Sequence, residues 1–91
     1  MEQQPQPGDI VIYHDPKGVG HSALVTCVWT GAPEPLLNVV YVSGDDARQD
    51  SYGRQLERST STMHKSQSNV HGNYWRWPHE QPNAYTPPAA V

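Results

Sequence analysis

Basic, hydroxyl and aromatic side chains with the chemistry of an anion site concentrate in the C-terminal half of the chain. Five of the six basic residues, but only two of the nine acidic residues, lie between 48 and 76, although the formal net charge is −3. Guanidinium groups beside hydroxyl donors suit phosphate oxygens, and flat rings stack on bases. Ordinary variation of surface charge in a short chain is the alternative explanation. The predicted ligand-binding residues are Arg48, Tyr52, Arg54, Arg58, Thr60, Thr62, Tyr74 and Arg76.

The segment Tyr74–Trp77 is the most aromatic part of the chain. In an extended strand Trp75 and Trp77 share one face, where they would complete a core that has no Phe. Tyr74 and Arg76 would then lie on the opposite face, where a ring and a guanidinium can hold a base and a phosphate. A purely structural role is the alternative, as it is for the hydroxyl-rich run 59–62, which would also suit a solvated strand edge.

A cysteine-hydrolase activity is suggested by Cys27, His14 and His21, because thiol hydrolases pair a thiolate with an imidazole. The stretches 7–13 and 20–25 resemble the His-bearing strand pair of NlpC-type cysteine peptidases. That family carries its nucleophile on a helix upstream of this pair, whereas only seven polar residues stand upstream here. Cys27 lies inside a predicted strand, where a thiol behaves as a small hydrophobic side chain. We therefore expect no enzymatic activity.

The five histidines do not show the spacing of a metal site, because no two of them lie within six residues of one another. The single cysteine has no second cysteine with which to form a ligand pair. No Walker-type Gly-rich loop is present, so nothing favours nucleotide hydrolysis. We expect no metal and no cofactor.

The element that must position these residues is a central strand at His21–Trp29, a stretch without Gly or Pro. Its odd positions Ala23, Val25, Cys27 and Trp29 are apolar and are predicted to face the core. Short Pro- and Gly-containing connections on both sides favour antiparallel neighbours. The sequence predicts an all-β fold, a small antiparallel barrel or SH3-like sheet of about five strands, at 9–14, 21–29, 36–43, 56–65 and 73–77.

The domain organisation follows from the ends of the chain. Residues 1–7 are predicted to be a flexible arm, 8–78 a single β domain, and 79–91 a disordered Pro-rich tail. Residues 43–55 are predicted to be a long loop without secondary structure, which in compact domains is usually functional or disordered. No stretch predicts a helix, and 67–72 predicts a turn.

The size and composition of the chain indicate how the domain is stabilised and in which compartment it occurs. A core of this size seldom supplies more than about 3–5 kcal/mol, and a single cysteine excludes an internal disulfide, so self-association is expected. No apolar run reaches the length of a membrane span and the N-terminus lacks signal-peptide features, so we expect a soluble, cytosolic protein without membrane contact. The net charge of −3 argues against general nucleic-acid binding.

Several short segments resemble small accessory proteins encoded by tailed bacteriophages. They are Ala23–Trp29, Leu37–Val42, Arg58–Ser66 and Tyr74–Pro78, similar to the family's T-x-V-W strand, V-N-L-x-V-F-like strand, T-S-V-x-H-like segment and closing W-x-W-P. The resemblance covers about residues 21–78 and implies a phage origin and a small barrel-like β fold. The chain departs from the pattern with Tyr41 where Phe is usual, with its long 43–55 loop and with the hairpin at 14–20.

The resemblance implies a function in the bacterial host, since small phage proteins often act against host defences and some sequester nucleotide immune signals. Together with the basic window it predicts a non-enzymatic, homo-oligomeric anti-defence protein in the host bacterial cytoplasm. Its ligand would be a cyclic nucleotide or a related anionic small molecule. One alternative is a protein-binding or virion-associated module with no small ligand. A second is a degenerate NlpC-like cysteine hydrolase.

Overall fold

The computed structural model describes residues 4–30, 34–68 and 72–83, and they fold as short strands joined by tight turns. A single 3-10 turn, residues 65–67, is the helical element of the described part of the chain. The strands are β1 (Ile10–His14), β2 (Gly20–Trp29), β3 (Leu36–Val42), β4 (Gln49–Asp50), β5 (Gly53–Arg54), β6 (Leu56–His64) and β7 (Tyr74–Arg76). No helix in these residues has the length and apolar character needed to cross a membrane.

Five of the strands close into a barrel in the order β1-β2-β3-β6-β7, which confirms the predicted small all-β barrel. The contacts β1–β2, β2–β3, β3–β6 and β1–β7 are antiparallel. The fifth contact, β6–β7, is parallel. The β6–β7 contact that closes the barrel is short, because it pairs only Met63 and His64 of β6 with β7.

The core is formed by alternate residues of four strands, as the period of two in a strand requires. It consists of buried Val11, Tyr13, Ala23, Val25, Leu37, Val39 and Trp75. The indole of Trp75 is fully buried and its Nε1 donates to the carbonyl oxygen of Pro35 at 3.2 Å. The expectation that Trp75 completes a core without Phe is therefore confirmed.

The predicted inner face of the central strand is wrong beyond Val25. The pairing of β2 with β3 shifts register between Val25 and Cys27, so a β-bulge interrupts the alternation. Val28 packs against the core instead, whereas Trp29 is exposed and Cys27 is half-buried. The bulge has therefore turned two residues that we expected inside toward the outer surface.

The segment 43–55 has more structure than an irregular loop. Strands β4 and β5 form a two-residue hairpin, and the Ser43 and Arg48 backbones each bond to Gln55 at 2.9 Å. Gly53, with φ of 112°, takes the left-handed conformation that follows the tight turn. The excursion is thus a small closed hairpin beside the barrel.

The ends of the described chain are tied to the barrel. Pro5 is buried, and the Gln6 amide donates to Asp9 Oδ2 at 2.9 Å, so part of the predicted flexible arm contacts the domain. At the other end Glu80 accepts from His64, and the Asn83 amide donates to the Tyr74 hydroxyl at 2.8 Å. The start of the predicted tail therefore packs on the barrel. Residues 1–3, 84–91 and part of the predicted 67–72 turn lie outside the described residues.

Candidate functional site

A groove of about 740 Å³ opens at one end of the barrel. The β1–β2 hairpin forms one wall and the start of the 43–55 excursion forms the other. Barrel mouths are common ligand sites because residues of the inner face continue past the core layer there. The lining residues are Asp15, Pro16, Lys17, Val19, His21, Tyr41, Gly44, Asp45, Asp46 and Glu57.

An aromatic stack forms the base of the groove. Buried Tyr13 contacts Tyr41 with ring centroids 4.9 Å apart, and His21 lies on Tyr41 at 4.8 Å. These residues are placed together because Tyr13 pairs with His21 across β1–β2, while Tyr41 follows the buried Val39 on the inner face of β3. Burial raises the pKa of the Tyr41 hydroxyl, and the neighbouring Tyr13 and Glu57 add to this effect. Tyr41 therefore remains a neutral phenol.

Asp15 organises the hairpin wall. Its Oδ1 accepts from the Lys17 and Val19 amides at 2.9 and 3.0 Å, and its Oδ2 lies 2.8 Å from His21 Nε2. Burial raises the pKa of the Asp15 carboxyl, but the His21 bond and the two amide bonds outweigh burial and hold this pKa below its usual value. Asp15 is thus a carboxylate that fixes both the turn and the orientation of the imidazole.

The opposite wall is braced by Glu57. Its Oε1 pairs with Arg48 Nε at 2.9 Å, and its Oε2 accepts from the hydroxyl of buried Ser43 at 3.2 Å. The Ser43 hydroxyl in turn accepts from the Asp45 amide at 3.1 Å. Arg54 pairs with Asp46 and donates to the Ser43 carbonyl oxygen. The start of the excursion is therefore held in one conformation by two arginines and one buried serine.

The charge of the groove is mainly negative. Four carboxylates line it against Lys17 and His21. Arg48 and Arg54 neutralise two of the four, those of Glu57 and Asp46, by direct ion pairs. The carboxylate of Asp45 accepts only from the Ala47 amide among the described contacts, at 2.9 Å. The groove therefore favours a cation over an anion, with Asp45 and Asp15 as its carboxylates free of arginine.

None of the eight residues predicted to bind an anion lines this groove. Arg48 and Arg54 support its wall through the acids of the excursion, so they lie near it but are already paired. Tyr52 is 98% exposed at the tip of the β4–β5 hairpin. The sequence places these arginines close to acids, but only the folded hairpin shows which acid each one meets.

The other predicted residues are spread over the barrel. Arg58 and Thr60 are exposed on β6, whereas Thr62 is buried and bonds Ser59. Tyr74 is fully buried, so its ring does not face solvent as the sequence suggested.

Arg76 does not face solvent as a free guanidinium. Its Nε donates to His14 Nε2 at 3.0 Å, and its Nη1 donates to the Glu80 carbonyl oxygen at 2.7 Å. The eight residues are therefore not brought together in one site.

The thiol–imidazole arrangement is not formed either. His14 accepts from Arg76 and its Nδ1 lies 2.9 Å from the Gly18 carbonyl oxygen, so both ring nitrogens are engaged. Cys27 lies beyond the bulge and six residues along the strand from His21, a distance of roughly 20 Å in an extended chain. Among the described residues no group of three or more His, Cys, Asp or Glu side chains is arranged to hold a metal ion.

Sequence reasoning missed the groove because its acids lie in two hairpins that are about 30 residues apart. A weak signal was present: Asp15 precedes a Pro-Lys-Gly turn and Asp45–Asp46 follow a strand end.

The chain matches no family model, no curated protein and no solved structure.

Proposed function

We propose that the protein is a non-enzymatic binding module whose groove at the barrel mouth holds a basic segment of a partner protein. The observation that carries this proposal is the set of carboxylates around the groove, which surrounds an aromatic base. It corresponds to the protein-binding alternative of the sequence analysis. An anionic nucleotide would meet Asp15 and Asp45, the two carboxylates without an arginine partner, and like charges in a partly buried site repel.

The geometry supports a lysine or arginine side chain as the bound group. The methylene stem of such a side chain packs on aromatic surface while its charged end stays near carboxylates and water. Tyr41 supplies the aromatic surface, and Asp45 supplies a carboxylate without an arginine partner. A groove of about 740 Å³ is large enough for more than one side chain. We therefore favour a short peptide segment over a single amine.

The test is calorimetry with hexa-arginine and hexa-lysine peptides at low and high salt. Asp45→Asn removes one charge but keeps the acceptor for the Ala47 amide. An exposed ion pair contributes about 0.2–1 kcal/mol, so Kd should rise by roughly 1.4- to 5-fold. Asp50→Asn is the matched control, because Asp50 Oδ1 accepts from the Tyr52 amide in the same type of turn but lies outside the groove.

Two results would overturn the proposal. One is equal loss of affinity in Asp45→Asn and Asp50→Asn, which would show general charge attraction and no binding in the groove. The other is heat from cyclic dinucleotides or cyclic trinucleotides that disappears in Arg58→Ala, since Arg58 has no acidic partner within the described residues. That outcome would favour the anti-defence nucleotide sponge over the protein-binding module.

The biological setting and the assembly state are also proposals. A phage origin and a place in the host bacterial cytoplasm rest on the short motifs between residues 21 and 78. Self-association rests on the small core, which among the described residues packs seven buried hydrophobic side chains together, and on the absence of an internal disulfide in a chain with one cysteine.

A further inference from the structure

The outer face of the sheet β1-β2-β3-β6 carries a group of exposed apolar side chains, with Arg58 next to Val40 at its β6 edge. Directly paired residues of neighbouring strands point to the same side, so the pairs Ile10↔Leu24 and Leu24↔Val40 form one row across it. The pair Val42↔Leu56 belongs to the next row. Ile10, Leu24, Val42 and Leu56 are 52%, 41%, 51% and 62% exposed. These four are exposed aliphatic side chains on the outer side of their strands.

The β-bulge in β2 extends this face. Asn38 points outward, because its neighbours Leu37 and Val39 are both buried. The exposed indole of Trp29 donates from Nε1 to Asn38 Oδ1 at 2.9 Å, so the ring lies on the outer side. Cys27 pairs with Asn38 across the strands and is half-buried there. The bulge therefore adds a tryptophan and a thiol to the row of aliphatic side chains.

The size of the face approaches that of a dimer interface. Half-exposed aliphatic side chains offer about 30–60 Å² each and Trp29 about 100 Å², which gives roughly 300–450 Å² of apolar surface in all. Homodimer interfaces are about 65% apolar, so the face suits an interface of about 450–700 Å² per copy. Standard interfaces bury about 800 Å² per partner, roughly a tenth of a small protein's surface. The total surface here is 6291 Å².

We propose that this outer face binds a second copy of the same chain in a two-fold symmetric dimer. The middle of the face lies between β2 and β3, which are the inner two of its four strands. In a two-fold interface the residues nearest the axis meet their own copies. Cys27 and Asn38 are paired across β2 and β3 between the pairs Leu24↔Val40 and Trp29↔Leu36, so they lie close to that position. The groove lies at the barrel mouth on inner-face residues, so dimer formation leaves it open.

The test is sedimentation equilibrium of the full chain from micromolar to millimolar concentration. The mass should move from 10.2 kDa toward twice that value as concentration rises. Leu24→Lys, and independently Leu56→Lys, should raise the dimer Kd by at least about tenfold, because each places a charge in the apolar face. Tyr52→Lys is the matched control, since Tyr52 is 98% exposed at the tip of the β4–β5 hairpin, outside this face and outside the groove.

A covalent readout tests the position of the axis. Two Cys27 thiols close to the axis should lose two electrons and two protons to diamide and form an intersubunit disulfide, seen as a dimer on a non-reducing gel. Leu24→Lys should abolish this dimer. A monomer at millimolar concentration would overturn the proposal. So would an unchanged dimer in both lysine variants that retain a native circular dichroism spectrum, and so would assemblies larger than two.

Discussion

Glu80 is predicted to fasten the segment after β7 to the barrel, although sequence reasoning assigned it to a disordered tail. Its Oε1 accepts from His64 Nε2 at 2.9 Å and from the Trp77 amide at 2.8 Å. The Ser66 amide donates to His64 Nδ1, so the proton of a neutral imidazole lies on Nε2 and points at Glu80. Since His64 is buried, loss of its acceptor would leave a buried donor unpaired.

The size of the effect follows from these two bonds. A hydrogen bond to a charged group contributes about 1.5–3 kcal/mol, and an unpaired part-buried amide adds about 1 kcal/mol, so Glu80→Ala should cost roughly 2–4 kcal/mol. For a domain of this size that lowers Tm by roughly 8–30 °C. Glu80→Gln keeps an oxygen in the same place and should cost only about 1 kcal/mol.

The effect should also depend on pH. Burial raises the pKa of the Glu80 carboxyl, but the Trp77 amide and His64 outweigh burial and hold it below the usual value of 4.5. Because the folded-state pKa of Glu80 lies below the unfolded value, the ionised carboxylate stabilises the protein fully above pH 4.5. This contribution is lost as pH falls through the lowered folded pKa. The stability difference between wild type and Glu80→Gln should therefore disappear in acid.

Urea unfolding followed by tryptophan fluorescence measures these differences, because Trp75 and Trp77 lie close to the segment. Glu34→Gln makes the same charge change away from these bonds and should leave stability nearly unchanged. If Glu80→Ala were as stable as Glu80→Gln at neutral pH, the reasoning would be refuted, since the acceptor geometry would then contribute nothing.

Two further predictions concern the groove wall. Gly72→Ala should unfold or strongly destabilise the protein in thermal melts, because the added Cβ would collide with the backbone of Asp15 and Pro16. Gly44→Ala is the control: its Cβ would meet only a His21 ring carbon at 3.6 Å, so this variant should melt like wild type. Asp15→Asn should lose about 1 kcal/mol at neutral pH. Its difference from wild type should shrink below pH 3.8, the unfolded value, and vanish as pH falls through the lowered folded pKa of Asp15; persistence of the full difference in strong acid would contradict this cause.

The strands were predictable because alternation of apolar residues is a direct consequence of strand geometry. The bulge was not, because Cys27, Val28 and Trp29 are all apolar and fit either orientation. The outward orientation of Trp29 is stabilised by Asn38, whose Oδ1 accepts hydrogen bonds from the Trp29 indole and the Ser61 amide. Ser61 itself has φ of 52°, the left-handed region in which a local irregularity of β6 is accommodated.

Tyr74 is buried, although its place in the strand pattern suggested a ring that faces solvent. A period of two puts it opposite Trp75, which suggested a solvent-facing ring. In the structure Tyr74 stacks on His14 with centroids 4.7 Å apart, and the segment up to Asn83 bonds its hydroxyl. Both sides of β7 are therefore covered. The covering segment is rich in Pro and lacks apolar periodicity, so neither composition nor pattern could reveal that it packs.

The pairing of β1 with β7 has a consequence for how the chain reaches its native state. It joins Ile12 to Arg76, so the first and last strands of the barrel are neighbours although most of the chain separates them. Such non-local contacts form late, because the entropy of closing a long loop must be overcome first. On the ribosome the N-terminal strands must wait until Arg76 has left the exit tunnel. Until then Trp75 is missing from the core and the nascent barrel remains open along one side.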